Sequence, residues 1–484
     1  MTDRTKKWLK FTVRWGIAAF GVWWVLSNIN FTDRVMVLDP ATNRPRYVAA
    51  INAQEDAAEF IIAPKGEEPR RIRRDELWVR PDRAAVSIRL SPGEPPQKRK
   101  LLAIKPGGAT SKGRSIRELL VEDPATHRGV VVLPDQLVGA RGLDVASPYV
   151  EIGLTRMVRE ADRSFLIAAI CILPIGYVLT SIRWFFLLRG LGVQIGLGRT
   201  LVINMVGAFY NSFMPGTTGG DVIKAYYAAK HTPLRTRAVM TVLVDRVIGL
   251  LALIIVGGSM AAYQWEIEDC RRVAIGSAVI LVGVGLGAII FYNRTLRRLS
   301  GLSFILSRLP MQKQVHKAVE AMEVYGHRPL PVVAATLVSF PVHAMSILSA
   351  SFAGMAFRLP LGLFYYWVVV PVVALVGAIP ISPQGAGVME FFAVQLTKRQ
   401  GATISQAFIL TMSIRLLAMF WNLVAGLFVL RGGYHSPTVK EQEEMESDDS
   451  SAAASDATAA KTSEAMTSSP PPPALRGGAG EGAA

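Results

Sequence analysis

Apolar residues in this chain come in long blocks, separated by spacers that are short, basic or rich in Gly and Pro. The first block runs from Phe11 to Ile29 and is preceded by Lys6, Lys7, Lys10 and Arg14. Beyond residue 160 further blocks lie at 164–188, 200–215, 238–263, 272–292, 331–356, 361–381 and 403–430. A helix needs about 20 apolar residues to cross a bilayer core. The pattern therefore predicts an all-α polytopic membrane protein. Residues 31–160 break it, because no run there is long enough to span. Their apolar runs are short and of β type: Val35-Met36-Val37-Leu38, Leu77-Trp78-Val79 and Val130-Val131-Val132-Leu133. Gly/Pro signals at Ser91-Pro92-Gly93 and Lys105-Pro106-Gly107-Gly108 read as turns between them. A small β-rich domain inserted after the first helix is predicted. A cleaved signal peptide competes for the first block. No small-x-small site follows Trp23-Trp24-Val25-Leu26, so an uncleaved anchor is the preferred reading.

Two of the blocks read as re-entrant hairpins. If 200–215 spans, its flanks Arg189/Arg199 and Lys224/Lys230/Arg235/Arg237 fall on opposite faces, against the positive-inside rule. If it turns back at Met214-Pro215-Gly216-Thr217-Thr218-Gly219-Gly220, both flanks stay cytoplasmic. Pro removes a backbone donor and Gly admits unusual dihedrals, so a helix breaks there. Residues 361–398 share the grammar, with the break at Pro380-Ile381-Ser382-Pro383-Gln384-Gly385-Ala386-Gly387. That leaves about six spans, both termini in the cytoplasm and 31–160 outside it. Hairpins entering from opposite faces suggest an inverted-repeat transporter with a midplane site. The competing reading is two ordinary helices with kinks. The divisions expected are an anchor over 1–30, the β-rich domain over 31–160, the membrane domain over 161–433 and a disordered tail over 434–484. Within the membrane domain, 311–325 is expected to form an interfacial amphipathic helix.

Composition and charge narrow the chemistry. The 484 residues are 51% hydrophobic and 19% charged, with a formal net charge of +16. Mean hydropathy is +0.32, and together these exclude a wholly soluble enzyme. Residues 1–30 and 31–160 each carry +4, 161–435 carries +14, and the tail carries −6. Most of the charge thus sits between apolar blocks, where it sets topology or meets anionic lipid. Basic patches with interleaved aromatics are missing outside the membrane region, so nucleic acid is not an expected partner. Arg70-Arg71-Ile72-Arg73-Arg74 reads as a solvated face. Two cysteines, Cys171 and Cys270, exclude a disulfide framework, and six single histidines give no metal motif. No cofactor or metal is expected.

A charge at membrane depth costs a few kcal/mol, so each needs a reason. Asp221 follows Gly219-Gly220 and heads the helix carrying Lys224, as an N-cap or as part of a phosphate-binding loop. Asp245 and Arg246 are adjacent on one helix and cannot face each other, so each needs another partner, either in an ion pair between helices or, for Arg246, a lipid phosphate that its guanidinium fork suits. Glu390, just after Gly385 and Gly387, either pairs across a cavity with Arg415 of the last block or lies near an interface. Arg183 reads as snorkelling from its helix end. Asn204, Tyr210, Asn211 and Ser212 either bond neighbouring helices or line a path. His343 reads as a helix–helix hydrogen-bonding residue.

Three ordered motifs carry a family resemblance. They are Phe209 to Lys224, Val244-Asp245-Arg246-Val247-Ile248-Gly249-Leu250, and Pro380 to Glu390. Together they resemble the lysylphosphatidylglycerol synthase transmembrane region over about 164–433. The resemblance implies a flippase-like domain with two re-entrant elements and a cavity for anionic phospholipid. On it, Asn211, Pro215, Gly219, Gly220, Asp221, Lys224, Asp245, Arg246, Gly385, Gly387, Glu390 and Arg415 are the candidate substrate-binding residues. The sequence departs from the full synthase in that no aminoacyltransferase domain follows residue 433, so lipid lysinylation is not expected. The leading expectation is a flippase or transporter of anionic phospholipid or a lipid-linked envelope precursor in a bacterial-type inner membrane. A lipid-acting transferase is the alternative, disfavoured because no Asp-x-Asp occurs. A scaffold that binds an envelope partner through 31–160 is the second alternative.

Overall fold

Alternating burial builds the first domain. The computed structural model describes residues 29–431 apart from 52–53, 55, 65, 82–84, 90–94, 111–112, 138–147, 214–218, 294–324, 327–328, 380–381 and 383–384, together with Trp23, Ser27 and Tyr434. The first apolar block, most of 311–325 and nearly all of the tail lie outside the described residues. Strands β1 (Arg34–Leu38), β2 (Pro45–Ile51), β3 (Glu59–Ala63), β4 (Arg70–Arg73) and β9 (Val150–Glu151) form one antiparallel sheet in the order β4-β3-β2-β1-β9. Strands β5 (Ala85–Ile88), β6 (Gln97–Thr110), β7 (Gly113–Glu122) and β8 (Gly129–Val132) form a second, in chain order. Val35, Val37, Phe60, Ile62, Ile88 and Leu119 are buried in a shared core. Leu77-Trp78-Val79 is not a strand of its own. It hooks the sheets together through single bridges from Trp78 to Met36 and from Val79 to Ile104.

Lys105-Pro106-Gly107-Gly108 is likewise not a turn but part of β6. The ladder to β7 slips on both sides of Pro106, the kind of irregularity at which a strand tolerates Pro and Gly. The arginine run forms edge strand β4, with Arg70, Arg71 and Arg73 exposed. Glu151 closes the other side of that sheet. It accepts from Arg34 Nε at 2.7 Å and from Tyr47 Oη at 2.8 Å. Burial, then Glu151 itself, pushes the Tyr47 hydroxyl well above the ordinary tyrosine range.

Ten helices follow among the described residues: α1 (Leu154–Arg159), α2 (Arg163–Gly190), α3 (Leu197–Phe213), α4 (Gly219–Lys230), α5 (Arg235–Tyr263), α6 (Glu268–Tyr292), α7 (Pro329–Ala356), α8 (Leu363–Ala378), α9 (Val388–Thr397) and α10 (Ile404–Leu430). Five of them, α2, α5, α6, α7 and α10, are long and apolar enough to cross a membrane. The sixth expected span is the first block, outside the described residues. Half of the most apolar window of α5 is buried but only 6% of that of α6, so α5 is central and α6 lies against the surroundings.

Helices α2 and α7 pack antiparallel. At one end Asp162 N donates to Ala356 O, and at the other Tyr325 Oη donates to Leu187 O. Helices α3 and α4 form an antiparallel hairpin so tight that a Cβ on Gly220 would sit 2.1 Å from Gly207 O. In the hairpin of α8 and α9, a Cβ on Gly385 would meet Gly377 Cα at 2.8 Å. The β-rich domain docks on the end where α10 begins. There Arg80 donates to Lys398 O and Ala402 O, and Asn30 N donates to Ser405 Oγ. Asp33 ties the junction, accepting from Gly153 N at 2.9 Å and Arg156 Nη1 at 2.8 Å. The α8–α9 hairpin has its base at this end, where Gln264 beyond α5 donates to Phe364 O. The α3–α4 hairpin has its base at the other end, where α2 stops and α5 starts.

Candidate functional site

Three of the five longest apolar helices, α2, α5 and α10, carry charges along their length, and those charges find partners across helices. Asp245 of α5 accepts from Arg183 Nε of α2 at 2.7 Å and lies 3.5 Å from Lys224 Nζ of α4. All three side chains are buried. Arg183 thus does not snorkel. A carboxylate stands at its own depth, and Gly249 leaves the guanidinium room: a Cβ there would be 3.0 Å from Nη1. Arg183 Nη1 also reaches Ser339 Oγ of α7. Lys224 Nζ lies 4.4 Å from the centroid of the Trp184 ring, whose Nε1 donates to Thr241 Oγ1. A desolvated ammonium gains from such a face.

The neighbouring residue takes a different partner. Arg246 donates through Nε to Asp221, in the first turn of α4. The carboxylate therefore serves a neighbouring helix rather than only capping its own. Gly220 N donates to Asn211 Oδ1 at 2.9 Å, closing the hairpin across its tip. Pro215 lies outside the described residues, and Gly219 opens α4.

In the second hairpin, Gly385 and Gly387 adopt φ of +70° and +81°, a region costly for residues with a Cβ. The turn they make sets Glu390 at the third position of α9, where Oε2 accepts from Gly387 N at 2.7 Å. Arg415 of α10 clasps the same carboxylate, Nη1 to Oε1 at 2.6 Å and Nη2 to Oε2 at 3.3 Å. Asn422 stands seven positions beyond Arg415, roughly 10 Å along the helix. It donates to Ser212 Oγ and accepts from Tyr177 Oη. Helix α10 thus reaches both hairpins. Asn204 donates to Ser181 Oγ, Tyr210 Oη to Tyr434 O, and His343 Nε2 meets Gly249 O at 2.8 Å. Asn204 and His343 thus bond neighbouring helices, and Tyr210 bonds the chain just beyond α10.

The two hairpin ion pairs are equivalent in register. Asp221 precedes Arg246 by 25 positions and Glu390 precedes Arg415 by 25. Each member of the second pair follows its counterpart by 169 positions. The same displacement carries the starts of α2, α3, α4 and α5 onto those of α7, α8, α9 and α10 to within three residues. It also relates Gly257, pressed against Pro371 of α8, to Gly426, pressed against Phe209 of α3. Gly176 and Met345, themselves counterparts, face each other where α2 crosses α7. The cluster of Arg183, Lys224 and Asp245 has no such counterpart: the matching positions are Phe352, Ala393 and Ile414. Among these buried or half-buried charges, Arg183, Lys224, Arg246 and Arg415 exceed Asp221, Asp245 and Glu390 by one positive charge.

Sequence reading missed Arg183 as a member of the cluster, and Trp184 and Ser339 with it. The 25-position spacing, repeated twice, was a signal available in the chain.

Comparison with known proteins agrees with this architecture. The family model described as "Lysylphosphatidylglycerol synthase TM region" matches residues 152–426. A UPF0104 membrane protein of Pyrococcus horikoshii is 22% identical over 302 residues, covering 57% of this chain and 89% of that relative.

Proposed function

The chain is a multi-pass membrane protein that belongs to the lysylphosphatidylglycerol synthase TM-region family, and from that premise we propose that it moves anionic phospholipid, or a lipid-linked envelope precursor, between leaflets. In this reading the first block is an uncleaved anchor, the α3–α4 hairpin enters from the cytoplasmic face and α8–α9 from the outer face. The β-rich domain stands outside, where exposed Val130 and Val131 on edge strand β8, with Leu133 just after it, offer an envelope partner a surface.

The observation that carries the reading is the equivalence of the two hairpin ion pairs. Inverted repeats of this kind work by exchanging one conformation for the other around a central site. Asp221–Arg246 latches one hairpin and Glu390–Arg415 the other, so a phosphate that competes for either arginine releases one latch at a time. The single excess positive charge suits a monoanionic phosphodiester. Arg246, 31% exposed at its side chain, and Arg415, 19% exposed, are the arginines within reach of a ligand, whereas Arg183 and Lys224 at 8% and 7% supply field without contact.

Liposomes reconstituted with the protein and a fluorescent anionic lipid test this by dithionite quenching. Wild type is expected to exceed the protein-free rate of lipid exchange. Arg246→Gln with Arg415→Gln is expected to return it to that rate while the protein remains folded. Wild-type exchange at the protein-free rate, or exchange undiminished in the double variant, overturns the proposal.

A further inference from the structure

A cavity of about 410 Å³ opens at the junction of the β-rich domain with the helices. It is remote from the hairpin ion pairs, since its walls are the start of α10, the turn after α7, helix α1 and the rim of the first sheet. Its floor includes buried Val150, Met157 and Ala356. A cavity of this size and character holds a small ligand or a headgroup.

Arg156 and Glu160 line it and are already paired, Arg156 with both Asp33 and Glu160, while other polar groups around it, Gln54 on the rim among them, are unspent among the described residues. Gln406 is 8% exposed; its Oε1 accepts from Thr403 N, which leaves the Nε2 amide without a partner among the described residues. Arg358 lines the rim, and among the described residues nothing pairs with its guanidinium. It stands at φ +53° just after α7, a left-handed position that glycine normally takes and that a side chain enters only at a cost. Asp56, on the facing rim, is equally unpaired among the described residues. Beyond the Arg156–Glu160 pair, Arg358 and Gln406 offer donors for an anion and Asp56 a carboxylate for a cation, over an apolar floor. It also lies at the end of the membrane helices, the same end at which Tyr263 and Trp265 are exposed, as aromatic residues are at a bilayer interface.

We propose that this cavity binds the headgroup of a zwitterionic aminophospholipid, with its phosphate on Arg358 and Gln406 and its ammonium on Asp56. A single anion leaves Asp56 unmatched, and a single amine leaves Arg358 unmatched. A headgroup carrying both charges satisfies both. The lipid chains leave past Met157 and Phe357 into the bilayer. The site is independent of the transport reading, because none of its residues belongs to the hairpin ion pairs.

Native mass spectrometry of the full chain, released from nanodiscs of equal phosphatidylethanolamine and phosphatidylglycerol, tests it. Wild type is expected to retain phosphatidylethanolamine over phosphatidylglycerol by about tenfold, one charge-assisted contact. Arg358→Ala is expected to lose retention of both lipids, and Asp56→Asn to lose only the preference. Soluble O-phosphoethanolamine is expected to displace the lipid, and inorganic phosphate is not. Equal retention of the two lipids by wild type, a preference that survives Asp56→Asn, or displacement by inorganic phosphate alone overturns the proposal. Arg246→Gln is expected to keep the preference, so failure of the transport reading and failure of this one are read separately.

Discussion

Asp245 ion-pairs with both Arg183 and Lys224, at 2.7 and 3.5 Å, which makes it the residue on which the buried cluster turns. Removing one partner of a buried ion pair leaves a charge that the apolar interior cannot solvate, at a cost of about 3–5 kcal/mol. Asp245→Ala is therefore expected to lower the unfolding temperature in detergent sharply. Replacing the whole cluster, with Arg183→Leu, Lys224→Met and Asp245→Leu together, is expected to recover most of that loss, since a packed apolar triplet is often as stable as a buried pair. The triple variant also removes the excess positive charge, so it is expected to fold and yet exchange lipid slowly. A triple variant as unstable as Asp245→Ala shows that the cost lies in packing around these side chains rather than in charge. Much of this was legible in the chain: Asp245 and Arg246 had to find separate partners because adjacent helical residues point apart, and they do. Arg183 was not legible. Snorkelling is decided one segment at a time, from distance to the helix end, whereas its partner lies 62 positions away and its depth is set by how α2 packs on α5.

The hairpins depend on backbones approaching where no side chain fits. Gly220 meets Gly207 O, a backbone atom that cannot swing aside, so Gly220→Ala must force α3 and α4 apart. Overpacking of this kind costs about 1–3 kcal/mol, and here it also pulls Asp221 away from Arg246. Gly198, near the start of α3, faces open space. At that position alanine is expected to gain about 0.5–1 kcal/mol through its better helix propensity. Thermal unfolding of the two variants in the same detergent compares them directly. A Gly220→Ala protein as stable as Gly198→Ala removes the tight hairpin from the account. Helix breaks at Pro and Gly were readable from sequence at this scale, because those residues act locally. The reading of Lys105 to Gly108 as a turn failed for the complementary reason: Pro and Gly mark a bulge in a strand as readily as its end, and only the partner β7, which continues alongside, decides between them.

At the scale of the molecule, the helices have two chemically different ends. The end away from the β-rich domain receives Arg189, Arg199, Lys230, Arg235, Arg237 and Arg431. Helix α6 ends and α7 starts there, and the sequence between them contains Arg294, Arg297, Arg298, Arg308, Lys313, Lys317 and Arg328. The end beneath the β-rich domain has fewer basic residues in its helix connections, and Arg399 there is engaged by Glu268 and Asp269. Lys and Arg in short loops, rather than net charge, set orientation, so the first end is expected in the cytoplasm and the β-rich domain outside. Gly196 and Gly362 are suited to test this, since both face open space and stand at opposite ends. In a background with Cys171→Ser and Cys270→Ala, Gly362→Cys is expected to react with a membrane-impermeant maleimide on intact cells. Gly196→Cys is expected to react only after permeabilisation. The reverse pattern inverts the protein and places the α3–α4 hairpin on the outer face. Labelling of both from one side is incompatible with α2, α5, α7 and α10 all crossing the bilayer, and with it the two hairpins cease to be opposed.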